Sequence, residues 1–528
     1  MNQRKRQNTM MKYRFGGSWW QGVLVLMLQG PMLRAAVVPS PFFVDQAVVQ
    51  RDVPLPVWGT ADPGEKIQVA FGGQKIDATA DANGLWQVTF KPFPANTRGT
   101  MSFTASNTVE AKEVVAGDVW FCSGQSNMQL TVSRVKDAKS EIASAAWPDV
   151  RHFAVPLKPS AEPQGDSALK DVKWQPASPE TVANFTAAGY FFACDIHRKI
   201  NVPVGIINAS WGGTPIQPWI PLATLRADPS YAKMLEKKQA EIAAWPEKKL
   251  ILDQAIRDWE QAVETAKAEG KELPVRPWQP GSPDSGQYMP GQLDNGMVHP
   301  LTRFPIRGIL WYQGESNANS GAGGAAEYTH LQTLLIHGWR KAWGLGDLPF
   351  YFVQLPNWGN PDDPTGITWA YFREGQENFL KVPKTAMAVT IDIGDPKDIH
   401  PMNKQDVGHR LARLALVHAY DQSDSISDVP RFIASRVRGR EIQLKFSETR
   451  SGLILKTGQG SSGFEIAAAD RVFKPATAEL AGSMVVVRGP AEMAKPLFVR
   501  YAWKNNPTVS LITREGLPVA PFRTDGAH

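Results

Sequence analysis

The chain has 528 residues, too many for a single hydrophobic core, and its length predicts two to four domains. Hydrophobic residues make up 43% of the chain and charged residues 20%, which is ordinary for a globular protein and excludes disordered, collagen-like and polytopic membrane classes. Part of the net charge of +6 lies in the first 14 residues, so no basic stripe remains to indicate nucleic-acid binding.

The first 36 residues have the pattern of a secretory signal peptide. A basic segment runs to Arg14, an apolar stretch covers residues 19–28, and Ala35 and Ala36 offer small residues for cleavage. We therefore expect an exported protein, periplasmic or extracellular, with no stable membrane insertion after cleavage. The alternative is an uncleaved anchor, which would also leave the rest of the chain outside the cytoplasm.

Residues 37–112 alternate between short strand-like runs and turns. Residues 66–71 and 85–90 alternate apolar and polar side chains, and glycine-containing turns at 72–73 and 83–84 follow or precede them. This pattern predicts a small N-terminal β-sandwich.

Residues 113–424 change to strands that alternate with helices. Helical spacing covers residues 185–199, 328–343 and 404–419, and the apolar strand-like runs are residues 118–122, 204–209, 306–312, 350–353 and 386–393. Continuous apolar strands separated by helices indicate an α/β domain with a parallel sheet covered on both faces. Of the two cysteines, Cys122 lies in the first strand and Cys194 in the first helix, and they are either bridged or two buried free thiols.

Two further regions complete the chain. Residues 229–270 have helical spacing and are rich in Lys, Glu and Ala, and Pro246 predicts a break into a two-helix hairpin. A Pro- and Gly-rich loop follows over residues 274–291, and we read this insertion as a solvated cap or packing element rather than a binding site. Residues 425–528 return to strand-like patterns and predict a C-terminal β-sandwich.

The sharpest local motif is Gly-Gln-Ser-Asn-Met at residues 124–128, directly after the predicted strand at 118–122. In an open parallel sheet, ligands bind beyond the carboxyl ends of the strands, so the Ser126 hydroxyl is expected in that crevice. The simpler alternative is that Ser126 only caps a helix. Met128 replaces the second glycine of the α/β-hydrolase elbow, which excludes that motif.

A nucleophilic serine needs a base, and His400 follows the last predicted parallel strand at the same sheet edge. Asp398, Asp395 and Asp392 are candidates for the acid that orients the His400 imidazole. The alternative is that no carboxylate orients the ring. The other histidines lie on predicted helices, at the C-terminus or after no late strand: His152, His197, His299, His330, His337, His409, His418 and His528.

Two more turns leave this edge. Residues 210–214 (Ser-Trp-Gly-Gly-Thr) follow the strand at 204–209, and their glycine amides are candidate oxyanion donors. Residues 312–317 (Tyr-Gln-Gly-Glu-Ser-Asn) follow the next strand, and the Gln313 amide is a candidate third donor. Each turn could be a simple strand-to-helix connection, but three turns and a histidine on one edge favour a hydrolytic site.

These motifs together resemble the sialate O-acetylesterase family, a branch of the SGNH hydrolases that also contains relatives of acetylxylan esterases. The resemblance covers nearly the whole chain after residue 40, through residues 57–61, 124–128, 210–214, 311–317, 398–401, 463–466 and 516–518. It implies a flavodoxin-like, three-layer SGNH core flanked by the two β-sandwiches, and acetyl-ester hydrolysis through an acyl-enzyme without metal or cofactor. The implied substrate is an O-acetylated carbohydrate.

The resemblance also implies roles for individual residues. Ser126 corresponds to the nucleophile and His400 to the base, while Gly213 and Gln313 correspond to the oxyanion hole together with the Ser126 amide. Many SGNH enzymes place the acid three residues before the histidine, where this chain has Lys397, so the role of Asp398 is open. Candidates for substrate contact among the motif residues are Gln125, Asn127, Trp211, Glu315 and Asn317.

Two other functions fit the same sequence. The first is deacetylation of xylan or another polysaccharide rather than of sialic acid. The second belongs to a different class: a catalytically silent carbohydrate-binding protein that uses its two β-sandwiches and its aromatic residues. The presence of both Ser126 and His400 favours the enzyme.

Overall fold

The computed structural model describes residues 36–422, 429–449, 452–456 and 462–526. The predicted signal peptide therefore lies outside the described residues, apart from Ala36. The predicted boundary at residues 424/425 lies outside them as well.

The described N-terminal region forms two facing groups of strands. One is a three-stranded sheet, and the strands of the other extend the large central sheet. Apolar side chains from both groups meet between them; for example, the rings of Trp86 and Phe103 lie 6.0 Å apart. The strands are β1 (Val38–Pro39), β2 (Val48–Gln50), β3 (Leu55–Thr60), β4 (Lys66–Phe71), β5 (Gln74–Thr79), β6 (Leu85–Phe90) and β7 (Arg98–Thr104).

The central sheet has the order β10-β9-β11-β8-β12-β13-β14. In addition, β2 and β7 pair with the first half of β8, β4 pairs with β7, and β5 pairs with β4. Its strands are β8 (Thr108–Gly124), β9 (Trp147–Ala154), β10 (Trp174–Ala177), β11 (Val204–Ser210), β12 (Gly308–Tyr312), β13 (Phe350–Val353) and β14 (Thr385–Ala388). From β9 to β14 the pairs are parallel, and β10 joins the edge antiparallel. The domain boundary predicted at residues 112/113 falls inside β8, so one strand serves both regions.

Helices cover both faces of this sheet. Alternate residues of β8 pack on opposite sides. Trp120 and Cys122 face the cluster that contains α3 (Ala187–Ile200) and α8 (Lys404–His418), and Phe121 faces the cluster that contains α6 (Gly321–Trp343). Both Cys122 and Cys194 are buried free thiols. The helices are α1 (Ser126–Gln129), α2 (Ala138–Ala143), α3 (Ala187–Ile200), α4 (Leu222–Ala227), α5 (Tyr231–Glu269), α6 (Gly321–Trp343), α7 (Thr368–Asn378) and α8 (Lys404–His418).

The prediction of a two-helix hairpin over residues 229–270 is wrong, because α5 is one helix of 39 residues with Pro246 inside it. Proline removes only one backbone hydrogen bond, and the Ala-, Glu- and Lys-rich turns on both sides have the propensity to continue the helix. The strand predicted over residues 386–393 is also shorter than expected. Val389 and Ile391 are buried, but they lie beyond the end of β14.

The described C-terminal residues form three small antiparallel sheets, with the orders β15-β16-β21-β20, β19-β18-β22-β24 and β17-β23. The first two share buried apolar residues, and the Phe446 and Phe522 rings lie 5.6 Å apart between them. The strands are β15 (Phe432–Arg438), β16 (Glu441–Phe446), β17 (Leu453–Leu455), β18 (Phe464–Ala467), β19 (Lys474–Pro475), β20 (Thr477–Ala481), β21 (Met484–Arg488), β22 (Phe498–Tyr501), β23 (Leu511–Thr513) and β24 (Phe522–Arg523).

The strand order has a direct consequence for where a ligand can bind. The chain leaves β8 to form β9 and β11 on one side and then crosses to β12 on the other. The carboxyl end of β8 is therefore a topological switch point, where open α/β sheets form their ligand crevice. Among the described residues, no helix is long and apolar enough to cross a membrane.

Candidate active site

A glycine at the end of β8 gives the chain its sharp turn. Gly124 has φ of +135°, and a Cβ there would lie 2.1 Å from the carbonyl oxygen of Tyr312 in β12. Only glycine permits this close approach of the two strands. The turn starts α1 at Ser126, whose hydroxyl is thereby presented at the carboxyl edge of the sheet.

Ser126 and His400 meet at this edge, although they lie 274 positions apart in the chain. His400 Nε2 lies 2.9 Å from Ser126 Oγ, within hydrogen-bonding range. The side chain of His400 is about one-third exposed, so the imidazole is accessible from the crevice. The prediction that these two side chains come together is confirmed.

No carboxylate among the described residues is hydrogen-bonded to the other ring nitrogen of His400. Asp398 Oδ1 lies 3.6 Å from Nδ1, beyond a hydrogen bond, and accepts instead from the His400 backbone N–H at 2.8 Å. Asp392 is held by both terminal nitrogens of Arg410, at 2.6 and 2.8 Å. Asp395 accepts a backbone N–H within its own turn. Asp398 is therefore the nearest of the three predicted acids, but it acts as a charge near the ring.

The loop that carries His400 is braced by the loop after β13. The Gly394 N–H donates to Asn357 Oδ1 at 2.7 Å, and the Gly359 N–H donates to the Pro396 carbonyl at 2.9 Å. Hydrogen bonds of this kind fix the path of an irregular segment, because they tie its backbone to the neighbouring loop.

The turn after β11 lies against Ser126. A Cβ on Gly212 would be 3.2 Å from Ser126 Cβ, and the Gly212 N–H donates to Gln129 Oε1 at 2.8 Å. Gly213 follows with φ of +75°, a conformation that glycine adopts at little cost. In the described part of the chain, neither the Ser126 nor the Gly213 backbone N–H donates to a protein acceptor. Both are free to bind an oxygen of a ligand.

The placement of Gln313 contradicts its predicted role as an oxyanion donor. Its side chain is fully buried, and its amide donates to Asn317 Oδ1 at 2.8 Å, Gln125 Oε1 at 3.1 Å and the Thr214 carbonyl at 3.3 Å. Both N–H groups are thus occupied within the protein. Asn317 is half-buried, and its own amide has one long contact, 3.3 Å to Gln217 Oε1. Asn317 is the amide on this turn that has donor capacity left.

Three of the predicted substrate contacts are also wrong, because the side chains of Gln125, Asn127 and Glu315 are buried. Gln125 Oε1 accepts backbone N–H groups of Gly314 and Ser316 and ties the two turns together. Small turns leave backbone donors unsatisfied, and a buried amide oxygen satisfies them. Trp211 and Asn317, the remaining two candidates, are half-buried at the edge of the crevice.

Asn127 belongs to a buried polar network beneath the His400 loop. Its Nδ2 donates to Glu315 Oε1 and, at 3.0 Å, to the Ile399 carbonyl. Lys404, at the start of α8, donates through Nζ to Asn127 Oδ1 at 2.8 Å and to the Pro401 carbonyl. The backbone carbonyls on both sides of His400 are therefore bound by this network (Asn127, Glu315 and Lys404).

Burial dominates the charges in this region. It lowers the pKa of the Lys404 ammonium to about 7 and raises the pKa of Glu315 above its ordinary value. It also lowers the pKa of His400 below 6.5; Lys404 and Arg134 act in the same direction, and Asp398 acts against them. His400 is consequently neutral, and able to accept a proton, at neutral pH.

No sequence pattern pointed to a role for Lys404. A lysine that opens an amphipathic helix is expected at the surface, and this one is completely buried. The arrangement of Ser126, a neutral His400 and two free N–H groups can carry out nucleophilic attack on a carbonyl and hold the resulting oxyanion. In the described ranges, no group of three or more His, Cys, Asp or Glu side chains is placed to hold a metal ion.

Comparison with known proteins finds carbohydrate esterases that match most of the chain. The family model described as "carbohydrate esterase, sialic acid-specific acetylesterase" matches residues 116–267 and 263–417. Sialate O-acetylesterase of Mus musculus is 28% identical over 96% of this chain and 98% of its own, and that of Homo sapiens is 27% identical over 71% and 69%. The crystal structure of a carbohydrate acetylesterase from Xanthomonas citri is 35% identical with a TM-score of 0.78, over 93% of this chain and all of that one.

Proposed function

The chain belongs to the sialic acid-specific acetylesterase family of carbohydrate esterases, and we propose that it works through a serine acyl-enzyme. It is a carbohydrate esterase that hydrolyses O-acetyl esters. In the proposal, Ser126 is the nucleophile and His400 is the base. The observation that carries it is the 2.9 Å contact between His400 Nε2 and Ser126 Oγ.

The reaction has two halves. Ser126 Oγ attacks the acetyl carbonyl while His400 Nε2 takes its proton, and the imidazolium then protonates the sugar oxygen as it leaves. Acetate is left as an ester on Ser126. Water, deprotonated by His400, attacks this ester, and collapse of the second tetrahedral intermediate releases acetate and restores the serine hydroxyl.

The oxyanion of each tetrahedral intermediate is held by N–H groups of the two turns. The Ser126 and Gly213 backbone groups are the first two donors, since neither has a protein acceptor in the described part of the chain. Asn317 takes the third position in place of Gln313, because its amide is half-buried and has donor capacity left. Each such donor contributes roughly 3 kcal/mol to stabilising the transition state.

The buried network of Asn127, Glu315 and Lys404 positions the base. In many hydrolases a carboxylate on Nδ1 orients the imidazole, and here Asp398 is 3.6 Å away and 58% exposed. The network instead binds the carbonyls on either side of His400. Asp398 assists through the His400 backbone N–H and through its charge.

The finer features of the protein belong to the same proposal. The sheet with helices on both faces corresponds to the three-layer SGNH core, and the strand regions before and after it to accessory β-sandwiches. Residues 1–36 direct export to the periplasm or the extracellular space. O-acetylated sialic acid is the first substrate to test, because the curated relatives are sialate O-acetylesterases. Acetylated xylan is the comparison substrate.

The test is replacement of Ser126 by alanine in the full chain. We expect Ser126→Ala to abolish acetate release and labelling by a fluorophosphonate, with an unchanged Tm, because within the described ranges the Ser126 hydroxyl is hydrogen-bonded to His400 alone. Ser133→Ala, at an exposed serine seven positions further on, is the matched control and should keep both properties. A Ser126→Ala variant that retains full turnover would refute the proposed nucleophile.

The same labelling separates the enzyme from a silent carbohydrate-binding protein. An inert serine does not react with a fluorophosphonate, whereas one that is hydrogen-bonded to a neutral imidazole does. A wild-type protein that binds acetylated sugars without labelling or acetate release would establish the non-catalytic alternative.

A further inference from the structure

Two aromatic side chains of the loop after α5 lie beside the Gly212–Gly213 turn. A Cβ on Gly213 would be 3.3 Å from the benzo edge of the Trp278 ring and 3.8 Å from the Tyr288 hydroxyl. We call these two residues the aromatic platform. The sequence predicts a solvated cap or packing element here, but the platform reaches the edge of the candidate active site.

The platform is separated from the reacting serine only by the two glycines. Ser126 lies against Gly212 on one side of the turn, where a Cβ would be 3.2 Å from Ser126 Cβ. Trp278 lies against Gly213, the next residue. Any side chain at these positions would widen the gap. A sugar whose acetyl carbonyl is bound at Ser126 and Gly213 therefore has its ring within reach of the indole.

Trp278 is exposed in a way that packing does not explain. Its side chain is 68% exposed, and it is the one mostly exposed tryptophan among the described residues. The edge of the ring is the part nearest Gly213, and most of the Trp278 surface is accessible to solvent. In the described part of the chain, its indole N–H has no protein acceptor and is free to donate to a hydroxyl group. An exposed aromatic ring beside the candidate active site offers a flat apolar face and a polar N–H to a ligand bound there.

Hydrogen bonds hold the loop on both sides of the platform. The Trp259 indole of α5 donates to the Pro274 carbonyl at 2.8 Å, and the Gly291 N–H donates to the Gln217 carbonyl at 3.2 Å. The second bond joins the loop to the chain that follows the Gly212–Gly213 turn. Both ends of the segment that carries the platform are thus anchored, which reduces the cost of ordering it around a ligand.

We propose that Trp278 and Tyr288 form the subsite for the pyranose ring that carries the acetyl group. The apolar C–H face of the ring stacks on the indole, and its hydroxyl groups accept from the indole N–H and exchange hydrogen bonds with the Tyr288 hydroxyl. This subsite rests on the proposed esterase function and adds to it the part of the protein that recognises sugar rather than acetyl. Its ligand class is an O-acetylated pyranoside.

The test compares a sugar ester with an ester that has no sugar. Wild-type protein, Trp278→Ala and Trp278→Phe are assayed on 9-O-acetylated sialic acid, acetylated xylotriose and p-nitrophenyl acetate. Val275→Ala, at a residue of the same loop that is 93% exposed and not among the atoms nearest the two glycines, is the control. Inhibition of p-nitrophenyl acetate hydrolysis by the deacetylated sugars measures binding without turnover.

For Trp278→Ala we expect the ratio of kcat/KM on the preferred sugar ester to that on p-nitrophenyl acetate to fall by about tenfold, as removal of roughly 55 Å² of apolar contact implies. The inhibition constant of the deacetylated sugar should rise by a similar factor. Trp278→Phe should recover part of both, and Val275→Ala should match the wild type. A ratio and an inhibition constant that stay within twofold in Trp278→Ala would overturn the subsite while leaving the esterase intact. A wild-type protein inactive on every ester would instead remove the proposed function.

Discussion

Replacing Lys404 with methionine tests how His400 is held in place. The Lys404 side chain is fully buried and donates to the Pro401 carbonyl and to Asn127 Oδ1. Methionine has a similar length, no charge and a flexible side chain, so the variant removes both hydrogen bonds and keeps most of the packing. The Pro401 carbonyl, next to His400, then loses its anchor.

Two opposing effects set the stability of this variant. Each of the two acceptors left unpartnered costs about 1–3 kcal/mol. Burial of the ammonium is itself unfavourable, and it lowers the pKa of Lys404 from 10.5 to about 7. Replacing the ammonium with methionine removes this desolvation cost, which offsets a loss of similar size from the two unpartnered acceptors. We therefore expect the Tm to shift by less than about 5 °C. Activity should respond more strongly, with kcat about 10- to 100-fold lower, because misplacing a catalytic group by about 1 Å costs up to about 100-fold.

The assay is hydrolysis of p-nitrophenyl acetate as a function of pH, with thermal unfolding measured in parallel. The charge on Lys404 lowers the pKa of His400, so its removal should raise that pKa and move the acid limb of kcat/KM to higher pH. Lys397→Met, an exposed lysine on the same loop, is the control for loss of a charge. A folded Lys404→Met variant with kcat within twofold of the wild type and an unmoved acid limb would refute the positioning role.

Four further outcomes are expected. Asp398→Asn should lower kcat by about tenfold or less, well under the roughly 10⁴-fold loss seen when a buried acid holds the ring, since Asp398 is 3.6 Å from Nδ1 and exposed; a 10³-fold loss would contradict this. The acid limb of the wild-type kcat/KM profile should have its midpoint below pH 6.5, because burial lowers the pKa of His400, and a midpoint above pH 7 would disprove that. Asn317→Asp keeps the accepting oxygen and removes the N–H donor, so kcat should fall by about 100-fold or more in steady-state assays, whereas a wild-type kcat would exclude Asn317 from the oxyanion hole. Burial lowers the pKa of His152 to about 3, so the stability contributed by the neutral imidazole is complete above pH 6.5 and is lost as pH falls from 6.5 towards 3. Thermal unfolding of His152→Phe should therefore show a smaller drop in Tm between pH 7 and pH 4.5 than the wild type. An equal drop would refute the role of His152.

The expected effect of Asp398 distinguishes this site from one with a buried catalytic acid. A carboxylate that is bonded to Nδ1 fixes the imidazole and stabilises its charged form. Here the ring is partly buried, the nearest carboxylate is exposed, and the network of Asn127, Glu315 and Lys404 holds the backbone around it. Orientation of the base and compensation of its charge are thus divided between different residues.

Much of the architecture followed from local patterns. Continuous apolar runs predicted the buried parallel strands, because a strand covered on both faces has no polar side to show. The convergence of Ser126 and His400 followed from the rule that parallel strands bring their carboxyl ends to one edge. The single helix α5 was not predicted, because a proline usually breaks a helix, whereas the turns on both sides of it have a helix propensity strong enough to continue through it.

The sequence by itself determined five strands of the central sheet (β8 and β11 to β14), which edge carries the site, and that a serine and a histidine meet there. Only the tertiary structure decided what each neighbouring polar side chain does: Gln313 is saturated, Asn127 and Glu315 are buried, and Lys404 supports the base. Spacing along a strand or helix determines where the backbone of a residue lies and which face its side chain leaves from. Whether its side chain points to a ligand or to another residue depends on partners such as Asn127 and Lys404, 277 positions apart, which no local pattern relates.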